Sequence, residues 1–374
     1  MITWCSSCVL PDSRPNLRIE KDGRCNACHS HSTKPTIDWQ ARKAAFEDVV
    51  AHARSAGKGY DCVIPVSGGK DSTWQTVVCL EHGLRPLAVT WRPPGRTAIG
   101  QRNLDNLVGL GVDHVDYRIN PRVEARFMVK AFEKFGSTAI PMHLGLFNIP
   151  LAIAVRFDIP LVVWGENSAF EYGDAADSQT GFTLDAQWMK TYGVTHGTTA
   201  ADWVDEELDR QDLVGYFGPT DEQLRQANVR AVFLGYYFSW DPESTRATAA
   251  RFGFESPRDG ARTGYYSFAD IDDDFISLHH WMKWYKFGFT RTFDNLSLEI
   301  RNGRLDRKEA IDIIRSRGDE TPVDDIGAFC RFADLEENRF FETAERFRNP
   351  DVWERRSDGT WWIPNFLIED WDWS

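Results

Sequence analysis

The sequence lacks an apolar run long enough to cross a bilayer. Its most apolar stretch, Leu144 to Gly165, is interrupted by Asn148, Pro150, Arg156, Asp158 and Pro160. It reads as a helix and then a buried strand, with no membrane span. A leader is missing too: Met1-Ile2-Thr3-Trp4 runs straight into cysteine with no basic or apolar segment, so a cytoplasmic chain is expected. Positive charge is scarce. Lys and Arg number 43 against 56 Asp and Glu, a formal net charge of −13. Such a surface repels phosphate backbones, which excludes a broad nucleic-acid footprint but not a small basic channel. No internal repeat, low-complexity run or Walker A string occurs. The rest is an ordinary globular composition, 42% hydrophobic and 26% charged, over 374 residues. That length supports a large core and more than one domain.

Cysteine is sparse but patterned. Cys5-Ser6-Ser7-Cys8 and Cys25-Asn26-Ala27-Cys28 are two C-x-x-C pairs separated by sixteen residues. Each pair can offer two thiolates to one tetrahedral ion, and zinc (Zn2+) suits a closed four-sulfur site. A four-cysteine iron–sulfur cluster is the alternative. His29 and His31 are expected nearby without ligating. Residues 1–34 are therefore expected as a zinc ribbon that depends on its metal to fold.

The organising stretch is Pro65-Val66-Ser67-Gly68-Gly69-Lys70-Asp71-Ser72. An apolar run enters it and a helix leaves it. Small residues let backbone N–H groups converge on an anion at the positive end of that helix. Lys70 adds a cation, and Asp71 and Ser72 add polar groups. Around it, segments alternate. Helix is expected at 38–56, strand at 60–66, strand at 84–91, helix at 101–110, strand near 114–119 and helix at 121–135. A further helix over 146–157 and a strand at 160–164 complete the pattern, which implies an α/β fold with a parallel sheet. Ligands bind beyond the carboxyl ends of such strands. That rim would hold the Ser67–Ser72 loop, Thr90, and Gly165-Glu166-Asn167-Ser168. Over about 170–270 the alternation breaks, and the aromatic-dense Val232 to Pro242 fits an insertion that builds a substrate pocket or, equally, a homodimer interface. His279, Lys283 and Lys286 share one face of a helix over 275–287, with Arg291 close behind. This line suits a phosphate-rich ligand; a solvated polar face is the alternative.

The string SGGKDS resembles the PP-loop of ATP pyrophosphatases. Together with the cysteine pairs, Trp164-Gly165-Glu166-Asn167, and Lys283 through Gly303, it resembles the N-acetyl sugar amidotransferases of bacterial surface-polysaccharide biosynthesis, a family of the lipopolysaccharide, pseudaminic and legionaminic acid pathways. The likeness spans nearly the whole chain. It implies a Rossmann-like, adenine nucleotide alpha hydrolase-like PP-loop domain over 35–290 and a helical C-terminal region over 291–374. It implies that ATP adenylates the acetamido oxygen of an N-acetyl sugar and that ammonia displaces AMP, leaving an acetamidino group. Lys70, Asp71, Glu166, Lys283 and Lys286 would be catalytic. The nucleotide would meet Pro65 through Ser72, Thr90, Gly165, Glu166, Asn167 and Arg291, with magnesium (Mg2+) at Asp71 or Glu166. A glutaminase needs a nucleophilic cysteine, and residue 2 is Ile2, while Cys62, Cys79 and Cys330 fall in expected strand and helices. No glutaminase is therefore expected in this chain, and the resemblance implies that ammonia comes from a separate glutaminase subunit with a cyclase-like partner. If the sugar is acidic, Arg92, Arg96, Arg258 and Arg262 are open choices for its pocket. The rival readings are a tRNA-modifying PP-loop enzyme of thiolase or lysidine-forming type, and a zinc-ribbon scaffold with a decayed nucleotide site.

Overall fold

The computed structural model describes residues 2–165, 189 and 193–373. Among these, the first helix, α1 (Asn26–Thr33), belongs to the cysteine module. α2 (Trp39–Ala56) follows, started by Asp38, whose side chain accepts from the Ala41 N–H. Then strands and helices alternate: β1 (Cys62–Pro65), α3 (Lys70–Glu81), β2 (Pro86–Trp91), α4 (Ala98–Val108) and β3 (Asp113–Tyr117). α5 (Pro121–Phe135), α6 (Ile140–Arg156) and β4 (Leu161–Trp164) continue the pattern. The strands run parallel in the order β3-β2-β1-β4 and then β5 (Arg230–Phe233).

β5 corrects the expectation that alternation stops at about 170. The stretch around Val232 is the fifth strand, paired with β4 from Leu161↔Arg230 to Trp164↔Phe233. Its aromatics continue directly into the short α8 (Leu234–Tyr237), which follows α7 (Asp221–Gln226) and precedes α9 (Pro242–Arg251). Three apolar residues, Ala231 to Phe233, running into a helical turn carry no period of their own, which is why the strand was hidden.

Side chains alternate across the sheet as a strand's period of two requires. Cys62 and Ile64 of β1 join α2, α3 and α4 in one core, while Val63 joins α5 and α6 in the other. The sheet is thus covered on both faces. β1 lies where the strand order reverses, with β2 and β3 to one side and β4 and β5 to the other. In open parallel sheets that reversal opens a crevice beyond the strand ends, and the Ser67–Ser72 loop leaves β1 there.

The C-terminal region is helical as expected: α10 (Ile276–Phe287), α11 (Arg291–Arg301), α12 (Arg307–Arg317), α13 (Val323–Ala333) and α14 (Glu337–Glu345), then a hairpin of β6 (Glu354–Arg355) and β7 (Trp361–Trp362). α10 stops at Gly288, φ 72°, where a Cβ would press on Ile363 and Val352 at 2.8 Å. Asp306 caps α12 in a capping box with Glu309. The cysteine module has no extended ribbon. It consists of two knuckles held by the isolated bridges Trp4↔Pro11 and Ile19↔Cys25, the second running into α1. Its apolar residues share one core with Trp284, Phe293, Ile314 and the tryptophan-rich tail. No helix among the described residues is long and apolar enough to cross a membrane.

Candidate active site

The loop after β1 is held from beneath. Val66 N–H donates to the Val89 carbonyl at 2.8 Å, and Thr90 Oγ1 donates to the Val66 carbonyl at 2.7 Å. Thr90, expected at the nucleotide, is buried and has its hydroxyl engaged with the loop and His114. Its place in the fold is to fix the loop's height. Gly68 adopts φ +87°, and a Cβ there would lie 2.5 Å from the Leu104 backbone nitrogen of α4. Both the left-handed backbone and the close approach demand glycine. Gly69 caps α3, whose N-terminus faces the pocket, while Ser72 and Thr73 hydroxyls bond back to the Gly69 carbonyl.

Lys70 is buried, and its ammonium bonds Asp71 Oδ2 while lying 5.3 Å from the Trp240 ring centroid. The other Asp71 oxygen accepts from Trp240 Nε1 at 2.9 Å. Trp240 is set in turn by its neighbour Asp241, which receives Arg304 at 2.8 Å and Asn302 at 3.2 Å from the far side. Opposite the loop stand Tyr266, Asp270, Asp272, Arg291 and Asn295, so that Ser67, Gly69, Lys70, Asp71, Ser72 and these residues line one pocket. Its volume is about 180 Å³, below the roughly 300 Å³ at which whole small-molecule sites begin. It accepts a group the size of pyrophosphate.

Two aspartates of the far wall behave differently. Asp270 pairs with Arg291 at 3.1 Å. Asp272 is pushed up to about 6 by burial, although Ser67 hydrogen-bonds it. Its carbonyl accepts from the Thr97 N–H at 3.1 Å, so the 270–274 segment also clasps the loop after β2. The local sequence pattern singles out none of Trp240, Tyr266, Asp270 or Asp272 for this pocket. The one available signal was the aromatic density of 232–242.

The remaining expected residues divide. Arg291 lines the pocket; Lys283 and Lys286 do not. Lys283 donates to Asp294 at 2.8 Å, and Arg14 of the cysteine module donates to the other Asp294 oxygen at 2.8 Å. Burial alone would raise the Asp294 carboxyl, but Lys283, Arg14 and Arg291 hold it far below the ordinary carboxylate range. Lys283 therefore neutralises a buried carboxylate instead of completing a phosphate clamp. Three of the four arginines considered for an acidic sugar are also engaged: Arg92 and Arg96 with Asp116, and Arg262 with Asp274 and Asp325. Gly165 ends β4 beneath the same rim, its carbonyl accepting from the Gly235 N–H at 2.9 Å. Glu166 and Asn167 lie outside the described residues.

The cysteine module fits zinc. Cys5 and Cys28 sulfurs are 3.9 Å apart, Cys8 and Cys25 3.8 Å, and all four lie within 4.8 Å of one another. A tetrahedron with Zn–S near 2.3 Å has edges of about 3.8 Å, whereas a disulfide closes to about 2.05 Å. Backbone N–H groups of Cys8, Cys25 and Cys28 point at cysteine sulfurs, as thiolates require. All seven cysteines are buried, so none is exposed as a glutaminase nucleophile.

The parallel sheet, its reversal at β1 and the glycine loop opening α3 form the frame of a phosphate-binding site. Residues 250–366 match the family model described as LPS biosynthesis protein WbpG-like, C-terminal domain, in agreement with the resemblance read from the sequence. No curated protein matches the chain. Among solved structures, NMN synthetase from Francisella tularensis is 12% identical, with 82% of this chain and 96% of that chain covered and a TM-score of 0.36. NAD+ synthetase from Burkholderia pseudomallei is 15% identical, covering 60% and 91%, TM-score 0.26. A predicted subunit of tRNA methyltransferase from Methanocaldococcus jannaschii is 13% identical, covering 50% and 75%, TM-score 0.28. Scores this low leave those likenesses loose.

Proposed function

We propose that this chain is an ATP-dependent amidotransferase that converts the acetamido group of an N-acetyl sugar into an acetamidino group in surface-polysaccharide biosynthesis. The observation that carries the reading is the composition of the pocket. One wall is the Ser67–Ser72 loop, and the facing wall, Tyr266 to Leu298, lies inside the segment matched to a lipopolysaccharide-biosynthesis domain.

An amide carbonyl is a poor electrophile, and its oxygen is the better nucleophile. Attack of that oxygen on the α-phosphorus of ATP forms an O–P bond and breaks the bond to the β-phosphate oxygen. Pyrophosphate then leaves, to be received by the loop N–H groups, and Lys70 offsets its developing charge. Ammonia adds to the imidate carbon, a proton is lost to solvent or a nearby base, and AMP departs from the same carbon. Magnesium bound with the nucleotide would supply positive charge against the developing phosphate charge. Asp71 and Asp272 are the residues of this pocket that would hold it. No carboxylate cluster is pre-assembled among the described residues, which fits an ion that arrives with the phosphates. Ammonia would come from a separate glutaminase subunit with a cyclase-like partner, because this chain exposes no cysteine of its own.

Mass spectrometry of N-acetyl sugars incubated with the chain, ATP and ammonium tests the reading. The expected product differs by exchange of O for NH, with AMP and pyrophosphate formed, and glutamine does not replace ammonium. Unmodified sugars with modified tRNA, or release of ADP, would overturn it.

A further inference from the structure

A second group of ionisable side chains sits on the same rim, outside the loop's pocket. α6 runs back against the parallel strands, so its N-terminus lies at their carboxyl ends; Gly145 there is packed against Trp91, the last residue of β2. His143, in the first turn of α6, faces His279 of α10 with ring centroids 5.7 Å apart. Lys286 lies further along α10, donates to the Phe135 carbonyl at 3.4 Å and lies 5.6 Å from the Phe287 ring centroid. His196 stacks on Phe135 at 4.9 Å. His143 Nδ1 is 2.7 Å from the Ala139 carbonyl, so Nδ1 carries the proton and donates, leaving Nε2 open; His279 Nδ1 is 3.4 Å from Ser137 Oγ.

The charges here do not balance. Burial, and then the neighbouring lysines and rings, hold His143, His196 and His279 below the ordinary histidine range, so among the described residues here Lys286 is the cation left to be answered. No carboxylate among the described residues answers it, in a chain of formal charge −13. Lys283, beneath, is already committed to Asp294. A half-buried lysine without a counter-charge destabilises a fold unless an anion joins it, and an anion that enters also favours a proton on the neutral imidazoles beside it. His143, His279 and Lys286 are all only partly buried, so such an anion can enter.

We propose that His143, His279 and Lys286 form the subsite for an anionic group, a carboxylate or a diphosphate, on the acceptor that the neighbouring loop activates. This rests on the function proposed above. This cluster reads the acceptor's charge, while the Ser67–Ser72 loop reads the triphosphate.

Isothermal titration of the zinc-loaded full chain, with and without α,β-methylene-ATP and magnesium, tests the assignment. UDP-N-acetylglucosamine is the diphosphate probe and N-acetylneuraminate the carboxylate probe. One of them binds the wild-type chain. Lys286→Met and His279→Gln each weaken it about tenfold or more, the loss expected for a charge-assisted hydrogen bond. Lys286→Arg restores most of the affinity, and α,β-methylene-ATP binds every variant as it binds wild type. Probe binding that ignores the variants, or no binding of either probe, overturns the subsite. Equal weakening of the ATP analogue would instead move these residues into the nucleotide clamp. A wild-type chain that fails to bind the ATP analogue would sink the functional reading itself, separately from the subsite.

Discussion

Two neighbouring regions of the rim handle buried charge in opposite ways. Around the loop each cation is answered: Lys70 by Asp71, Arg291 by Asp270, and Arg14 with Lys283 by Asp294. Along His143, His279 and Lys286 no described carboxylate is present. The loop pocket even carries Asp71, Asp270 and Asp272 against Lys70 and Arg291, so a triphosphate would enter as a magnesium complex. The cluster of His143, His279 and Lys286 is the place proposed for a bare anion. Compensation marks charges that hold the fold or tune a bound nucleotide; its absence marks a place left for ligand charge.

The contrast is sharpest at its two lysines. Lys70→Met removes the cation beside the leaving pyrophosphate, and pyrophosphate release should fall by about 10²–10³, the scale of a lost donor to developing charge. The same substitution at Lys286 should raise the acceptor's KM and leave the ATP KM in place. Steady-state pyrophosphate release, with ATP and acceptor varied separately, gives both numbers. If Lys286→Met depressed kcat as Lys70→Met does, the division between the pocket and the cluster would be wrong.

The compensated region can also be broken on purpose. Asp294 has no exposed surface and is shared by Arg14, which arrives from the cysteine module, and Lys283 of α10. Asp294→Asn leaves two cations facing a neutral amide. Removing one side of a buried ion pair costs about 3–5 kcal/mol, so the urea midpoint should fall with its slope unchanged. Removal of zinc should move in the same direction, because Ser13 and Arg14, which tie the module to the Phe287 carbonyl and Asp294, lie between the two cysteine pairs. A midpoint in Asp294→Asn equal to wild type would show that the network carries no stability.

Much of this was legible in the residues, and the rest fails for identifiable reasons. The loop announces itself because Gly68 must be glycine, and the metal site because two C-x-x-C pairs leave little else to do. Cys62 to Ile64 and Pro86 to Trp91 read as buried strands, being short, apolar and bounded by turns. Pairings across sequence were not legible. Helical spacing puts His279, Lys283 and Lys286 on one line, but it is silent on what faces that line. Asp294, on the next helix, claims Lys283 and leaves the other two. Tyr266, Asp270 and Asp272 reach the loop only because the 266–274 segment crosses over α4, and no local pattern encodes that crossing. Trp240 is fixed by Arg304 through Asp241, a contact 63 residues apart in sequence.

Glu124 is the carboxyl counterpart of Lys286: it is buried, and Trp91, Tyr216 and Arg118 only partly offset its burial. It is 2% exposed, Oε1 finds no hydrogen-bond partner among the described residues, and burial together with Asp273 pushes it up to about 8. Its ordinary value is 4.5, so between 4.5 and about 8 the folded chain holds a proton there that the unfolded chain has lost. Stability linked to this group is then complete below the ordinary value and declines as pH rises toward 8. Glu124→Gln keeps the shape and removes the titration. The variant should lose less stability than wild type between pH 5 and pH 8, and its advantage should grow with pH, as read from urea midpoints at both ends. This is the smallest of the three effects, because neighbouring groups such as Asp273 titrate over part of the same range and soften the difference. An advantage that shrank with rising pH would mean that Glu124 is ionised and paired in the folded chain, and the line between compensated and uncompensated charge would then have to be redrawn on this side of the sheet.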